Sequence, residues 1–182
     1  MTLLLGKLEF VPVAERPDLL APSVAAGVGG PGWTMAADAV GVAEIDPALA
    51  DTAAFCAQYD IAPSQSANCV VVAGRREGET RYAACVVLAT TRADVNNVVR
   101  RELDVRKASF APVDEAVALT GMEYGGITPI GLPVGWPIFV DAAVAVVPEV
   151  VIGSGIRGSK LAMPGHLLAS MAGVTVIKGL AR

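Results

Sequence analysis

The sequence predicts a mixed α+β domain, a barrel-like mixed β-sheet flanked by helices, and three observations carry that expectation. Strand and helix patterns alternate along the chain without the regular βαβ rhythm of a parallel sheet. Two Val-rich apolar runs, Asn68 to Gly74 and Tyr82 to Thr90, flank a polar connection that contains Gly78, as in a well-buried hairpin. Between Gly125 and Pro133 lie five glycine or proline positions, yet Ile127, Ile130 and Leu132 of the same segment favour burial. An apolar, turn-forming segment of this kind suggests a rigid loop whose backbone approaches something closely.

The elements follow in order. Leu8 to Val13 alternates weakly and reads as a short strand limited by Pro12. Glu15 to Ala26 reads as a helix, with Pro17 in its first turn and Leu19, Leu20 and Val24 on one side. Gly27 to Gly32 is a breaker, either a linker or a loop, and Val40 to Ile45 can pair as a strand. Asp46 before Pro47 caps a helix expected to run to Tyr59. After the hairpin, Arg92 to Leu103 reads as a helix burying Val95, Val98, Val99 and Leu103. A strand over Val105 to Phe110 and a helix from Pro112 to Leu119, stopped at Gly121, lead into the central loop. Strands at Pro137 to Val140 and Val150 to Ile152 follow, then a turn over Gly153 to Gly158. Lys160 to Met163, a helix over Gly165 to Met171 and a strand at Val174 to Ile177 close the chain.

Composition narrows the function classes. At 182 residues with 53% apolar and 18% charged side chains, the chain has the material for one domain with a sizeable core. Its most apolar run, Ile138 to Ile152, is broken by Asp141, Pro148 and Glu149 and does not fit a membrane span. The leucines near the N-terminus lack a preceding basic segment and a cleavage site, so a cytoplasmic location is expected. Cys56, Cys69 and Cys85 form neither a disulfide framework nor a zinc-binding spacing, and Cys85 sits in an apolar run that predicts burial. The single histidine, His166, cannot form a metal cluster alone and opens a helical pattern, so neither metal nor cofactor is expected. A net charge of −4 and a pI near 5.0 exclude nucleic-acid binding through overall charge, but not through a local patch.

The run Thr120-Gly121 through Gly125-Gly126-Ile127-Thr128-Pro129-Ile130-Gly131 resembles the Gly-x-x-x-Pro loop of the YbaK/EbsC family. These are aminoacyl-tRNA deacylases related to the editing domain of bacterial prolyl-tRNA synthetases. The segments Ala108 to Pro112, Phe139 to Asp141 and Gly153 to Gly158 accompany it in the family's order, and the resemblance covers roughly Asp51 to the C-terminus. It implies one editing domain over residues 1–182, with residues 1–50 a less typical N-terminal extension. It further implies hydrolysis of a mischarged tRNA carrying a small amino acid, with an aminoacyl-tRNA synthetase as a possible partner. An inactive module of the same fold, recognising aminoacyl-tRNA, a nucleotide or a synthetase, is the alternative.

Site residues follow from the same resemblance. Gly125, Gly126 and Pro129 match the loop that shapes the aminoacyl pocket, and Thr128 stands where a hydroxyl is expected. The family's lysine at the start of the first long strand aligns with Asn68, an uncharged donor and acceptor that either caps the strand or orients a carbonyl or water. Where the family places serine and then aspartate, this chain aligns Gly153 and Lys160, with Ser154 one position along. That exchange of charge suggests that Lys160 takes over part of the missing lysine's work on the phosphate backbone. Asp141 reads as a helix N-cap, and Glu123 and Tyr124 as residues of the pocket mouth or of the surface. Breaking an activated ester needs a positioned water, oxyanion stabilisation and a selective pocket, but little acid or base strength.

Overall fold

The computed structural model describes residues 2–30, 33 and 37–182. Among the described residues ten strands form two five-stranded sheets. In chain order they are β1 (Leu3–Leu5), β2 (Leu8–Pro12), β3 (Gly41–Glu44), β4 (Ala67–Arg76), β5 (Glu79–Leu88), β6 (Ala108–Phe110), β7 (Ile138–Asp141), β8 (Val150–Gly153), β9 (Ser159–Met163) and β10 (Val174–Ile177). The helices are α1 (Pro22–Gly27), α2 (Thr52–Tyr59), α3 (Arg100–Glu102), α4 (Val113–Thr120), α5 (Ala142–Ala145) and α6 (Gly165–Ala169). The first sheet, ordered β1-β2-β3-β9-β8, is antiparallel throughout. The second, ordered β10-β7-β5-β4-β6, is mixed, because β7 runs parallel to both β5 and β10. A parallel bridge between Ser66 and Val151 joins the two where β4 begins, and gives the barrel-like curl that the sequence predicts.

The largest apolar cluster lies where the sheets face each other, with Val42, Leu161 and Met163 of the first meeting Ala84, Val86 and Val140 of the second. Alternation along β9 sends Ala162 to the other face, where α2 covers it with Phe55 and Cys56. Lys160 stands two residues before Ala162 and therefore emerges on that same face, beneath the start of α2. A third cluster packs Val95, Val99 and Leu103 onto Val72, Cys85 and Phe139.

The hairpin of β4 and β5 is as expected but longer, with a tight turn at Glu77 and Gly78. Three expected helices are shorter than their apolar patterns suggest. Glu15 to Ala26 resolves into turns at Val13–Glu15 and Pro17–Leu19 followed by α1, because Pro22 cannot continue a helix begun before it. Asp46 caps only the single turn Pro47–Leu49, and Asp51 opens α2 by accepting the Ala53 N–H at 3.1 Å. Arg92 to Leu103 becomes a wide turn over Val95–Val99, capped by Asp94, and then the short α3. The strand β1 carries no alternation to announce it. Within the glycine-rich breaker, Pro31 and Gly32 lie outside the described residues.

Candidate active site

The central loop is held from behind by backbone contact. Gly125 adopts φ +88°, a left-handed conformation that favours glycine. Gly126 lies so close to the turn after β8 that an added Cβ would fall 2.6 Å from the Ile156 carbonyl oxygen. Gly155 N–H donates to the Gly126 carbonyl at 2.7 Å, and Glu123 N–H donates to the Gly155 carbonyl at 2.8 Å. Arg157 then braces three segments: its Nε donates to the Pro47 carbonyl at 3.1 Å, its guanidinium to the Tyr124 carbonyl at 3.1 Å, and its N–H to Glu123 Oε2 at 2.6 Å.

This brace borders a cavity of about 420 Å³ lined by residues of both sheets and of the start of α2. Asn68 and Cys69 of β4, Asp51 and Thr52 of α2, Gly125 and Ile127 of the loop, Gly153, Arg157 and Lys160 all line it, with Phe110 and Val113 beyond. Small or aliphatic side chains, Ala67, Val71, Ala111 and Ala116, complete the wall. Among the described residues Asp51 is the only carboxylate there.

Two polar contacts organise the interior. Thr52 Oγ1 donates to Asn68 Oδ1 at 2.6 Å, which occupies the amide's carbonyl and leaves its N–H groups as the free end. The Lys160 ammonium, only 7% exposed, donates to the Ala50 carbonyl at 3.1 Å and toward the Gly125 carbonyl at 3.4 Å, and stands 5.2 Å from the Phe55 ring centroid. Burial, with the nearby Arg157 charge second, lowers its pKa to about 8. Burial, with Cys85 second, raises the Cys69 thiol far above its ordinary range, so the one sulfur on the cavity wall stays protonated and unreactive.

Of the residues singled out from sequence, Asn68, Gly125, Gly153 and Lys160 converge on this cavity, and Tyr124 stands at its edge. Lys160 is turned inward onto backbone carbonyls, away from any surface along which a phosphate chain would run. Gly126 supports the loop from behind. Thr128 is fully buried, its N–H directed at Met122 Sδ at 3.4 Å. Pro129 lines a separate groove with Trp33 and Trp136. Ser154 is buried and bonds the Ser159 hydroxyl at 2.7 Å and the Ser159 carbonyl at 3.0 Å, which holds the turn together. Asp141 caps α5, accepting the Ala143 N–H at 2.8 Å. His166 is exposed. Asp51 and Thr52 were not singled out, although an Asp-Thr pair before an apolar helical run is an N-terminus signal that could have placed them.

Residues 46–170 match the family described as the aminoacyl-tRNA editing domain. The chain belongs to this family. Editing of aminoacyl-tRNA by deacylation is the activity that membership brings, and every residue named on the cavity wall lies within the matched segment of the editing domain. Its fold resembles that of a candidate trans-editing enzyme for prolyl-tRNA synthetase, with TM-score 0.70 at 21% identity over 87% of this chain and 97% of that one. A hypothetical protein matches with TM-score 0.63 at 22% identity, over 71% of this chain and 83% of its own. A scaffold used for computational epitope grafting matches with TM-score 0.68 at 22% identity, over 87% and 97%. No curated protein matches this chain in sequence. Among the described residues no helix is long and apolar enough to cross a membrane.

Proposed function

We propose that the chain is a trans-acting deacylase that hydrolyses the ester of a mischarged tRNA carrying a small amino acid, and that the 420 Å³ cavity holds the aminoacyl group. The observation that carries this reading is the convergence of the Asn68 amide, held at its carbonyl end by Thr52, with the buried Lys160 ammonium on one wall. The free N–H of Asn68 donates to the ester carbonyl, and its hydrogen bond strengthens as that oxygen gains charge in the tetrahedral intermediate. Lys160 contributes a fixed positive charge in a poorly solvated place, where its field on the oxyanion is less screened than in water. Water is the nucleophile and adds to the ester carbonyl. As the intermediate collapses, the bond to the ribose oxygen breaks, that oxygen takes up the proton the water gives up, and the amino acid leaves as its free acid. Asp51, with one oxygen on the Ala53 N–H, presents its other oxygen to the substrate's α-ammonium. The alanines and valines of the wall set the limit on side-chain size.

Deacylation of a panel of mischarged tRNAs, including prolyl-tRNA carrying alanine or cysteine, tests the reading with wild type and Asn68→Ala. Hydrolysis of a small-amino-acid substrate that drops by about a hundredfold in the variant is expected, the usual scale for losing one oxyanion donor. Retained binding of charged tRNA with no hydrolysis of any substrate would replace the deacylase with a recognition module.

A further inference from the structure

The wall already described accounts for an aminoacyl group, but its outer edge has chemistry to spare. Among the described residues the large exposed hydrophobic side chains include two aromatics, Phe110 at 56% and Tyr124 at 63% exposed, and both border this one cavity. They come from different elements, Phe110 from the edge strand β6 and Tyr124 from the loop after α4. Neither packs against a core cluster. Arg157 holds the Tyr124 carbonyl, so the ring hangs from a fixed backbone.

Charge narrows what can sit there. The two cations on the cavity wall, Arg157 and Lys160, are both bonded to backbone carbonyls, Asp51 adds a negative charge, and the whole chain carries −4. On the cavity wall itself a polyanion therefore gains little from phosphate neutralisation, whereas a base with its π-face free gains from an exposed ring. We propose that Phe110 and Tyr124 form a stacking platform for the unpaired 3′-terminal nucleobase of the RNA, at the mouth of the cavity that receives its aminoacyl group. The identity of the RNA end rests on the deacylase reading; the platform itself rests on the two rings.

The test uses an RNA minihelix whose terminal adenine is replaced by 2-aminopurine and whose alanyl group is joined by an amide instead of an ester, so that nothing is hydrolysed. Stacking on the platform quenches the 2-aminopurine, and the titration gives Kd. Wild-type protein is expected to quench it. Phe110→Ala and Tyr124→Ala are each expected to lose quenching and bind roughly tenfold or more weakly, while Phe110→Trp and Tyr124→Phe keep both. Since both rings are exposed, truncation leaves the core untouched. Absence of quenching by wild type, or alanine variants that quench as well as wild type, would overturn the platform. Ester hydrolysis measured in parallel separates the two ideas: quenching without hydrolysis keeps the platform and removes the deacylase, and hydrolysis with quenching unaffected in both alanine variants does the reverse.

Discussion

Lys160 is the residue whose environment departs furthest from what its type prefers. Its folded pKa of about 8 lies below the ordinary 10.5, so the folded protein releases the proton more readily than the unfolded chain. Between those values Lys160 of the unfolded chain still holds the proton that the folded chain has lost, so this group's contribution to stability rises with pH, while the buried thiols Cys69 and Cys85, pushed up by burial, act in the opposite direction above about 9. Below about 8 both states are protonated and the full cost of burying the charge, on the order of 3 kcal/mol, is constant. Under the proposed mechanism activity runs the other way, because only the ammonium stabilises an oxyanion. The enzyme-dependent rate, after subtraction of spontaneous hydrolysis, is expected to fall as pH passes about 8. Lys160→Met should flatten the rise in denaturant stability that this one group contributes, read as the wild-type-minus-variant difference across that window, and slow hydrolysis at neutral pH. A wild-type rate that keeps climbing in parallel with the background would contradict the role. Part of the candidate site was legible at the residue level, since the family's loop motif, strand start and glycine-rich turn pointed to Gly125, to Asn68 and to Gly153 with Lys160, and these four line one cavity. Thr128, Ser154 and Pro129 were not separable from them, because a buried and a lining position can share one short segment and only packing tells them apart.

At the scale of elements, α2 does more than cover the first sheet. Its first residue, Thr52, reaches β4 to hold the Asn68 amide, so the helix start and the strand start act as one unit. Thr52→Val keeps the shape and removes the hydroxyl. It is expected to lower kcat about tenfold with KM little changed, matching the roughly 1 to 1.5 kcal/mol of one hydrogen bond. Thr52→Ser should restore the rate. In the Asn68→Ala background Thr52→Val should have no further effect, and full additivity in that double-mutant cycle would show that the two residues do not act together. The hairpin and, from β7 on, every element except the short α5 were readable from apolar runs and breakers. The helices were overread for a specific reason: periodicity reports which side chains are buried, and Pro22 and the Asp94 cap interrupt the backbone without disturbing that pattern.

For the molecule as a whole, the first fifty residues supply three of the five strands of the first sheet. Phe10, Val13, Leu19, Leu20 and Val24 are all buried, Val24 against the interior that the two sheets share. Removal of residues 1–40 exposes the paired edge of β3 and opens that core, at several kcal/mol per large side chain lost. Such a truncated chain is expected to lose cooperative thermal unfolding, and a sharp transition within a few degrees of the full chain's would show those residues to be dispensable. Sequence motifs could not reveal this dependence, because the pairing of Val42 with Leu161 joins parts of the chain that share no local pattern.

The cavity's walls come from residues 50–52, 67–71, 110–116, 124–127 and 153–160, five stretches that meet only once both sheets have closed. A chain in which either sheet is still open cannot assemble that set. The cavity and the finished architecture therefore arrive together, and a chain with one sheet still open has no pocket in which to hold an aminoacyl ester.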